Sequence, residues 1–211
     1  MPVLYLITGS NGAGKSTVAP DYVPSGIKSN YKIFDGDRLL MDKRNELWPN
    51  ITKSQKEAKR IASKYVIDTL EAQIEYSLSN GKDYIYEGHF PSYTTWDFPK
   101  RFKEAGYKIC MLFLGLIDPD LSEIRVSLRK KEGGHDVPRW DIENNFYGNL
   151  ERLDENYELL NDLNIVDTSN FYPKVLATFE SGKLIYFNND LPEWFIKYLP
   201  EITRKISNSS L

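Results

Sequence analysis

The chain is poor in cysteine and histidine: one Cys, Cys110, and two His, His89 and His135, in 211 residues. A lone thiol cannot close an internal disulfide, which excludes a disulfide-stapled secreted scaffold and predicts a reducing compartment. Cys110 lies in the apolar run KICMLFLGL and reads as a small buried hydrophobe. The two histidines offer too little for a zinc site. No apolar stretch approaches the ~20 residues of a transmembrane helix. No basic n-region precedes the first apolar run, which ends at once in a glycine loop. A soluble, cytoplasmic protein with no membrane partner is expected. A strong charge of one sign is missing too: 27 basic and 30 acidic residues leave a net charge of −3. That argues against a nucleic-acid protein held by phosphate neutralisation, while leaving room for a local basic patch. Internal repeats, low-complexity segments and linkers are also absent.

What is present is enough apolar and aromatic material, 41% and 13%, for a sizeable core. Apolar runs at residues 3–7, 31–34, 83–86, 107–114 and 163–166 alternate with helical patterns. Continuous apolar runs separated by helices are the mark of a parallel sheet covered on both faces. A long helix is predicted over 54–79, opened by the capping box Ser54/Glu57 and striped by Ala62, Val66, Leu70, Ile74 and Leu78. Others are predicted over 118–131, 138–162 and 192–206. Residues 174–179 and 183–187 flank Glu180-Ser181-Gly182, a hairpin signal. The reading is one α/β domain spanning 1–211, mainly a parallel five-stranded sheet with helices on both faces and a small C-terminal β-hairpin.

Immediately after the first strand, GSNGAGKS fits G-x-x-x-x-G-K-[ST] at Gly9, Gly14, Lys15 and Ser16. Such a loop wraps Gly9, Asn11, Gly12, Ala13, Gly14, Lys15, Ser16 and Thr17 round a nucleotide's phosphates. Glycines permit the tight turn that aims backbone N–H groups at the β-phosphate, and a helix beginning near Gly14 adds its dipole. Lys15 places a point charge on the β and γ phosphates, and the Ser16 hydroxyl ligates Mg²⁺. ATP, with GTP second, and Mg²⁺ are the implied cofactors.

In an open α/β sheet, ligands sit outside the carboxyl ends of the strands. The second strand ends in FDGDR, with Asp35 and Asp37, and the third in YEGH, with Glu87 and His89. A carboxylate there can accept a substrate hydroxyl's proton or hold Mg²⁺. An ordinary loop acid or helix cap is the plain alternative for either one. The fourth strand, MLFLGL, lacks a Walker B acid, and no N-K-x-D guanine-reading sequence occurs. Phosphoryl transfer to a small molecule therefore fits better than a motor or switch. After that strand, Arg125 and Arg129 share a helix face, and Gly133-Gly134 offers a hinge, making residues 125–140 a candidate lid. Arginines there can neutralise charge in phosphoryl transfer; a solvated basic face is the alternative. Aromatics Tyr93 and Trp96 are candidates for an acceptor pocket built with the long helix. Phe171 and Tyr172 mark where a base could lie, although core packing is the commoner role for both sets.

GSNGAGKST, FDGDR, YEG and RKKEGGHDVP together resemble the zeta-toxin-like P-loop kinases, nearest the bacterial branch described as predicted ABC-type ATPases. The resemblance runs in order through residues 1 to about 190, with GGHDVP its most specific part. It implies a three-layer P-loop NTPase fold with strand order 2-3-1-4-5 and ATP-dependent phosphorylation of a sugar hydroxyl. UDP-N-acetylglucosamine is the substrate of the family's best-known toxins, and an antitoxin the customary partner. Carried over by position, Asp37 matches the proposed base, Glu87 the acid ending strand three, and Arg129 a lid arginine. One departure stands out. Relatives follow GGHxVP with an arginine-rich turn of the kind I-R-R-R-Y, where this chain has Ile142-Glu143-Asn144-Asn145-Phe146. Arg139 and Arg152 are the available substitutes. A kinase for a nucleoside or antibiotic, and a regulatory ATP-binding module with weak or partner-dependent activity, are the competing readings.

Overall fold

The two most apolar runs form the middle of the sheet. β1 (Val3–Gly9) pairs in parallel with β4 (Lys108–Gly115), and Leu4, Leu6, Leu112 and Leu114 are fully buried there. On one side follow β3 (Tyr84–Glu87) and β2 (Phe34–Asp35); on the other lies β5 (Asp162–Asp167), all parallel. The parallel part thus has the expected order β2-β3-β1-β4-β5. This computed structural model describes residues 1–24, 33–131 and 137–209. Residues 31 and 32 of the predicted second strand lie outside the described residues.

The strand count differs from expectation. β6 (Lys174–Glu180) and β7 (Lys183–Phe187) do form a hairpin, but it continues the sheet antiparallel to β5, giving seven strands. An isolated hairpin is marginal in water, whereas β5 would otherwise leave a row of unpaired backbone groups. Pairing solves both problems and buries Ile165, Val166, Leu176 and Ala177 completely.

Eight α-helices are described: α1 (Ala19–Tyr22), α2 (Gly36–Leu47), α3 (Gln55–Asn80), α4 (Tyr93–Glu104), α5 (Pro119–Lys131), α6 (Arg139–Asn156), α7 (Glu193–Tyr198) and α8 (Pro200–Ser209). Ser54 caps α3 by accepting the Glu57 N–H at 3.2 Å, and Gly81 ends it in a left-handed conformation. Helix α6 buries Ile142, Phe146, Leu150 and Leu153. It stops at Asn156, six residues short of the periodicity-based estimate of 162, because Asp162 already pairs with Cys110 in β5. The predicted closing helix splits in two. Pro200 has no N–H with which to continue α7, so α8 starts afresh, its Glu201 and Ile202 N–H groups capped by the Asp154 carboxylate. Among the described residues no helix is long and apolar enough to cross a membrane.

Candidate active site

At Gly9, β1 turns into the phosphate loop with φ at 143°, and a Cβ there would lie 2.2 Å from the Leu114 carbonyl oxygen. Only glycine permits so close a passage beside β4. The loop's carbonyls are taken up by the surrounding scaffold. Ser122 Oγ of α5 donates to the Asn11 carbonyl, and Thr168 Oγ1 after β5 donates to that of Ala13 at 2.9 Å. Arg125 donates to the carbonyls of Gly12 (3.3 Å), Thr168 (2.8 Å) and Ser169 (3.0 Å), tying the loop to the β5–β6 connection. Asn145 of α6 donates to Asn11 Oδ1 at 2.9 Å. By contrast, the N–H groups of Gly14, Lys15 and Ser16 have no acceptor among the described residues. Free N–H groups beside bound carbonyls are what an anion cradle requires.

The helix expected from Gly14 begins later. The Gly14 carbonyl gathers the N–H groups of Thr17, Val18 and Ala19 in a tight turn, and α1 itself covers only Ala19–Tyr22. Pro20 cannot donate to that turn. The local positive pole is therefore made by individual amides more than by a long helix dipole.

In front of the loop is a cavity of about 800 Å³ at the carboxyl ends of the parallel strands. Asn11 to Thr17 line it; Gly9 lies behind. Asp35, Asp37, Glu87 and His89 also line it, and α5 contributes Arg125 and Arg129. Register explains the acids' proximity: Asp35 on β2 pairs with Glu87 on β3. Asp35 also caps α2, accepting the Arg38 N–H at 3.0 Å, whereas Asp37 in the first turn is exposed. Ser16 Oγ donates to Glu87 Oε1 at 3.5 Å. Burial pushes the Glu87 carboxyl above its ordinary range, with Asp35 adding to the shift and Lys15 opposing it. Burial likewise lowers Lys15 to about 8, partly offset by Glu87 and Asp37. Its ammonium donates to the carbonyls of Gly9 and Ser10, each at 3.1 Å.

No group of three or more His, Cys, Asp or Glu capable of holding a metal occurs among the described residues. The donor set still suits Mg²⁺, which takes one or two protein oxygens and completes its octahedron with water and phosphate. Ser16 and Glu87 would hold it.

Several expectations for the acceptor pocket change. Trp96 is buried with Nε1 donating to the Phe90 carbonyl at 3.3 Å, and exposed Tyr93 lies under the Arg152 guanidinium, 3.9 Å from the ring centroid. Neither lines this cavity, to which α3 supplies Lys59; a neighbouring cavity of about 940 Å³ that shares Lys15, Ser16, Asp35, Arg38 and Glu87 is lined by Tyr65, Thr69 and Gln73 of α3. Core packing of Trp96 with Phe90 turns the chain away after His89. Phe171 and Tyr172 pack edge to face yet are 89% and 81% exposed, so they are not core. Arg139 is spent on Asp120, Glu123 and Glu143, and Arg152 on Glu151 and Glu155. Neither lines the cavity, so neither takes the place of the arginine-rich turn there. In its place α6 presents Asp141 and Asn145. The expected hinge residues Gly133 and Gly134, with Glu132, His135 and Asp136, lie outside the described residues; Val137 and Pro138 line the cavity.

Sequence reasoning missed Arg38, Arg44 and Lys59, which form a basic wall on the α2–α3 side. It also missed Asp141, Asn145 and Asn149. Their spacing of four, beside the apolar stripe of α6, was a usable signal for a polar face.

A family model described as Zeta toxin matches residues 1–175. No curated protein matches the chain. Among solved structures, one from the PezAT chromosomal toxin–antitoxin system of the human pathogen Streptococcus pneumoniae is 20% identical, with a TM-score of 0.57 over 82% of this chain and 72% of that one. AvrRxo1-ORF1:AvrRxo1-ORF2, solved with sulphate ions and also with ATP, gives 16% identity and a TM-score of 0.71 over 94% of this chain. This chain covers 64% of that longer one. A chain of the Pnkp1/Rnl/Hen1 RNA repair complex reaches 0.51 at 20% identity, over 70% and 43%. At such identities the likeness is one of fold.

Proposed function

This chain belongs to the zeta toxin family of P-loop phosphotransferases, and we propose that it is an ATP-dependent kinase acting on a hydroxyl of an anionic small molecule, with nucleotide sugars the first candidates. One observation carries the reading. A single cavity is lined by the phosphate loop, by the acids Asp37 and Glu87, and by Arg38, Arg44 and Lys59 of α2 and α3. Cations beyond that of the phosphate loop suit an acceptor that bears its own phosphates beside the donor's triphosphate. The AvrRxo1 complex solved with ATP supports ATP as the donor.

In this reading the amides of Gly14, Lys15 and Ser16 bind phosphate oxygens. Asp37 takes the acceptor's proton as its oxygen bonds to the γ-phosphorus and the bond to the ADP oxygen breaks. Lys15 and Arg129 neutralise the charge that develops on the transferring group. Ser16 and Glu87 would hold Mg²⁺, which would supply charge neutralisation for the phosphates. Arg125, hydrogen-bonded to three carbonyls, shapes the loop.

The test is transfer from γ-labelled ATP to a panel of nucleotide sugars, nucleosides and uncharged sugars, beside Lys15→Ala, Asp37→Ala and Arg44→Ala. Transfer to an anionic acceptor, abolished in the first two and impaired through KM in the third, is expected. Preference for an uncharged sugar would sink the acceptor assignment.

A second reading follows from Glu143, Asn144 and Asn145 standing where relatives carry arginine. The chain would then bind ATP but need a partner, such as an antitoxin-like protein, to set its activity. The neighbour from a toxin–antitoxin system is consistent with this. ATP binding without transfer to any acceptor would favour it.

A further inference from the structure

Asn11 of the phosphate loop is buried yet lines the cavity, as does Asn145 on α6. An N–H of Asn145 Nδ2 donates to Asn11 Oδ1 at 2.9 Å, and neither carboxamide has another hydrogen bond among the described residues. A carboxamide carries two N–H donors on its nitrogen, so both of those on Asn11 Nδ2 are unused. Nδ2 is not one of the buried side-chain atoms sealed off without a partner, and so it opens on the cavity. We infer that this amide pair is a contact for the donor's terminal phosphate: Asn11 donates from Nδ2 to a γ-phosphate oxygen, and Asn145 is the positioning residue that holds its carboxamide in place. The inference deepens the proposed function and rests on the phosphate loop binding a nucleoside triphosphate.

The rest of Asn11 is already fixed. Ser122 Oγ of α5 donates to its carbonyl, and the Ala13 N–H closes a turn onto the Ser10 carbonyl at 3.2 Å. Asn11 and Gly12 are the central residues of that turn, which places Asn11 at its apex. Only the side-chain torsions remain to be set, and the Asn145 bond sets them. Interchanging nitrogen and oxygen in both amides keeps that bond and moves the free NH₂ from Asn11 to Asn145. In either arrangement one uncharged donor group faces the cavity.

An ionised phosphate oxygen is a strong acceptor for such a group. The loop divides the phosphates between its parts. The backbone N–H groups of Gly14, Lys15 and Ser16 serve the inner phosphates, as in any loop of this pattern. A side-chain donor at the apex of the preceding turn is left for the group beyond them. During transfer, charge spreads over the equatorial oxygens of that group, where Lys15 and Arg129 supply positive charge and Asn11 adds a directed hydrogen bond. Because Asn145 orients the amide before nucleotide arrives, less rotamer freedom is lost on binding.

The terminal phosphate is the group that ATP has and ADP lacks, so the test compares the two. Calorimetry with excess Mg²⁺ measures the affinities of ADP and of the non-hydrolysable β,γ-imido analogue of ATP. Asn11→Ala should lower the ratio of triphosphate to diphosphate affinity about 10–100-fold, as expected for a hydrogen bond to a charged partner. Asn145→Leu leaves Asn11 present but free to rotate, and should lower the ratio about two- to tenfold. In the double variant, Asn145→Leu should cost the ratio nothing more, since the group it positions is gone. A folded Asn11→Ala protein that loses both affinities equally, or neither, would overturn the inference and leave the pair a tie between α6 and the loop. Should that variant not fold, an unchanged ratio in Asn145→Leu overturns it equally. Transfer from labelled ATP is scored separately: a shifted ratio without transfer to any acceptor sinks the kinase reading and keeps this inference, and transfer with an unshifted ratio does the reverse. A wild type that binds neither nucleotide overturns both.

Discussion

The hydroxyl of Ser16 lies 3.5 Å from Oε1 of Glu87, bringing the end of the phosphate loop against the end of β3. The parallel pairing of β1 with β3, which sets Ile7 opposite Glu87, makes this approach possible. Both oxygens are hard donors, and together they would hold Mg²⁺. Ser16→Ala and Glu87→Gln are each expected to raise the Mg²⁺ concentration for half-maximal turnover roughly 10–100-fold, while MgATP-independent thermal stability changes little. Magnesium titration of phosphoryl transfer checks this; unchanged half-saturation in both variants would remove the pair from the metal site.

Arg125 and Arg129 share a helix face but differ in employment. Arg125 is fixed to three carbonyls; Arg129 is exposed at the cavity wall. Arg125→Ala should lower unfolding free energy by about 2 kcal/mol, seen in denaturant melts, because charge-assisted hydrogen bonds are lost. Arg129→Ala should leave the melt unchanged and reduce kcat by on the order of 10³. Equal melts for both variants would contradict the division of roles.

The pH dependence follows from two shifted groups. Glu87 acts ionised and its pKa is raised, so kcat/KM should climb with pH through a value above the ordinary carboxylate range. Lys15 acts protonated and its pKa is lowered to about 8, so kcat/KM should fall as pH rises past that point. Bound phosphates favour the charged lysine, which moves the alkaline limb of kcat to higher pH than that of kcat/KM. A kcat/KM profile flat through pH 8 would count against Lys15 as the phosphate ligand.

Of the three positions that replace the relatives' arginines, Glu143, Asn144 and Asn145, only Asn145 lines the cavity. Asn145→Arg would exchange its contact with Asn11 Oδ1 for a cation facing the phosphate loop. If the missing charge limits the chain, turnover should rise at least about tenfold, a modest share of what a transition-state arginine can contribute. Single-turnover transfer measures it, with Glu143→Arg, outside the cavity, as the comparison. No gain at Asn145 would point to the partner-dependent reading.

Local sequence was sufficient wherever local physics decides. The apolar runs place the parallel strands because a strand covered on both faces must be apolar throughout. The Ser54 cap and the glycine phosphate loop are set by backbone requirements within a few residues. Asp37 and Glu87 were legible as strand-end acids because the carboxyl edge of such a sheet is one surface. Local signals failed where long-range packing chose among equivalent residues. Arg139 and Arg152 read as free cations until α5, α6 and their own neighbours supplied carboxylates. The hairpin read as an appendage until the open edge of β5 claimed it. His89 read as half of an inadequate metal site, because the contact that engages it comes from Lys15, 74 positions away in sequence. Sequence by itself determined the parallel strands, the long helix α3 and the phosphate loop, but not helices α2 and α4, since hydrophobic period and turn chemistry act between near neighbours. The tertiary structure alone decided which polar side chains share the cavity, since that depends on how elements far apart in the chain pack together.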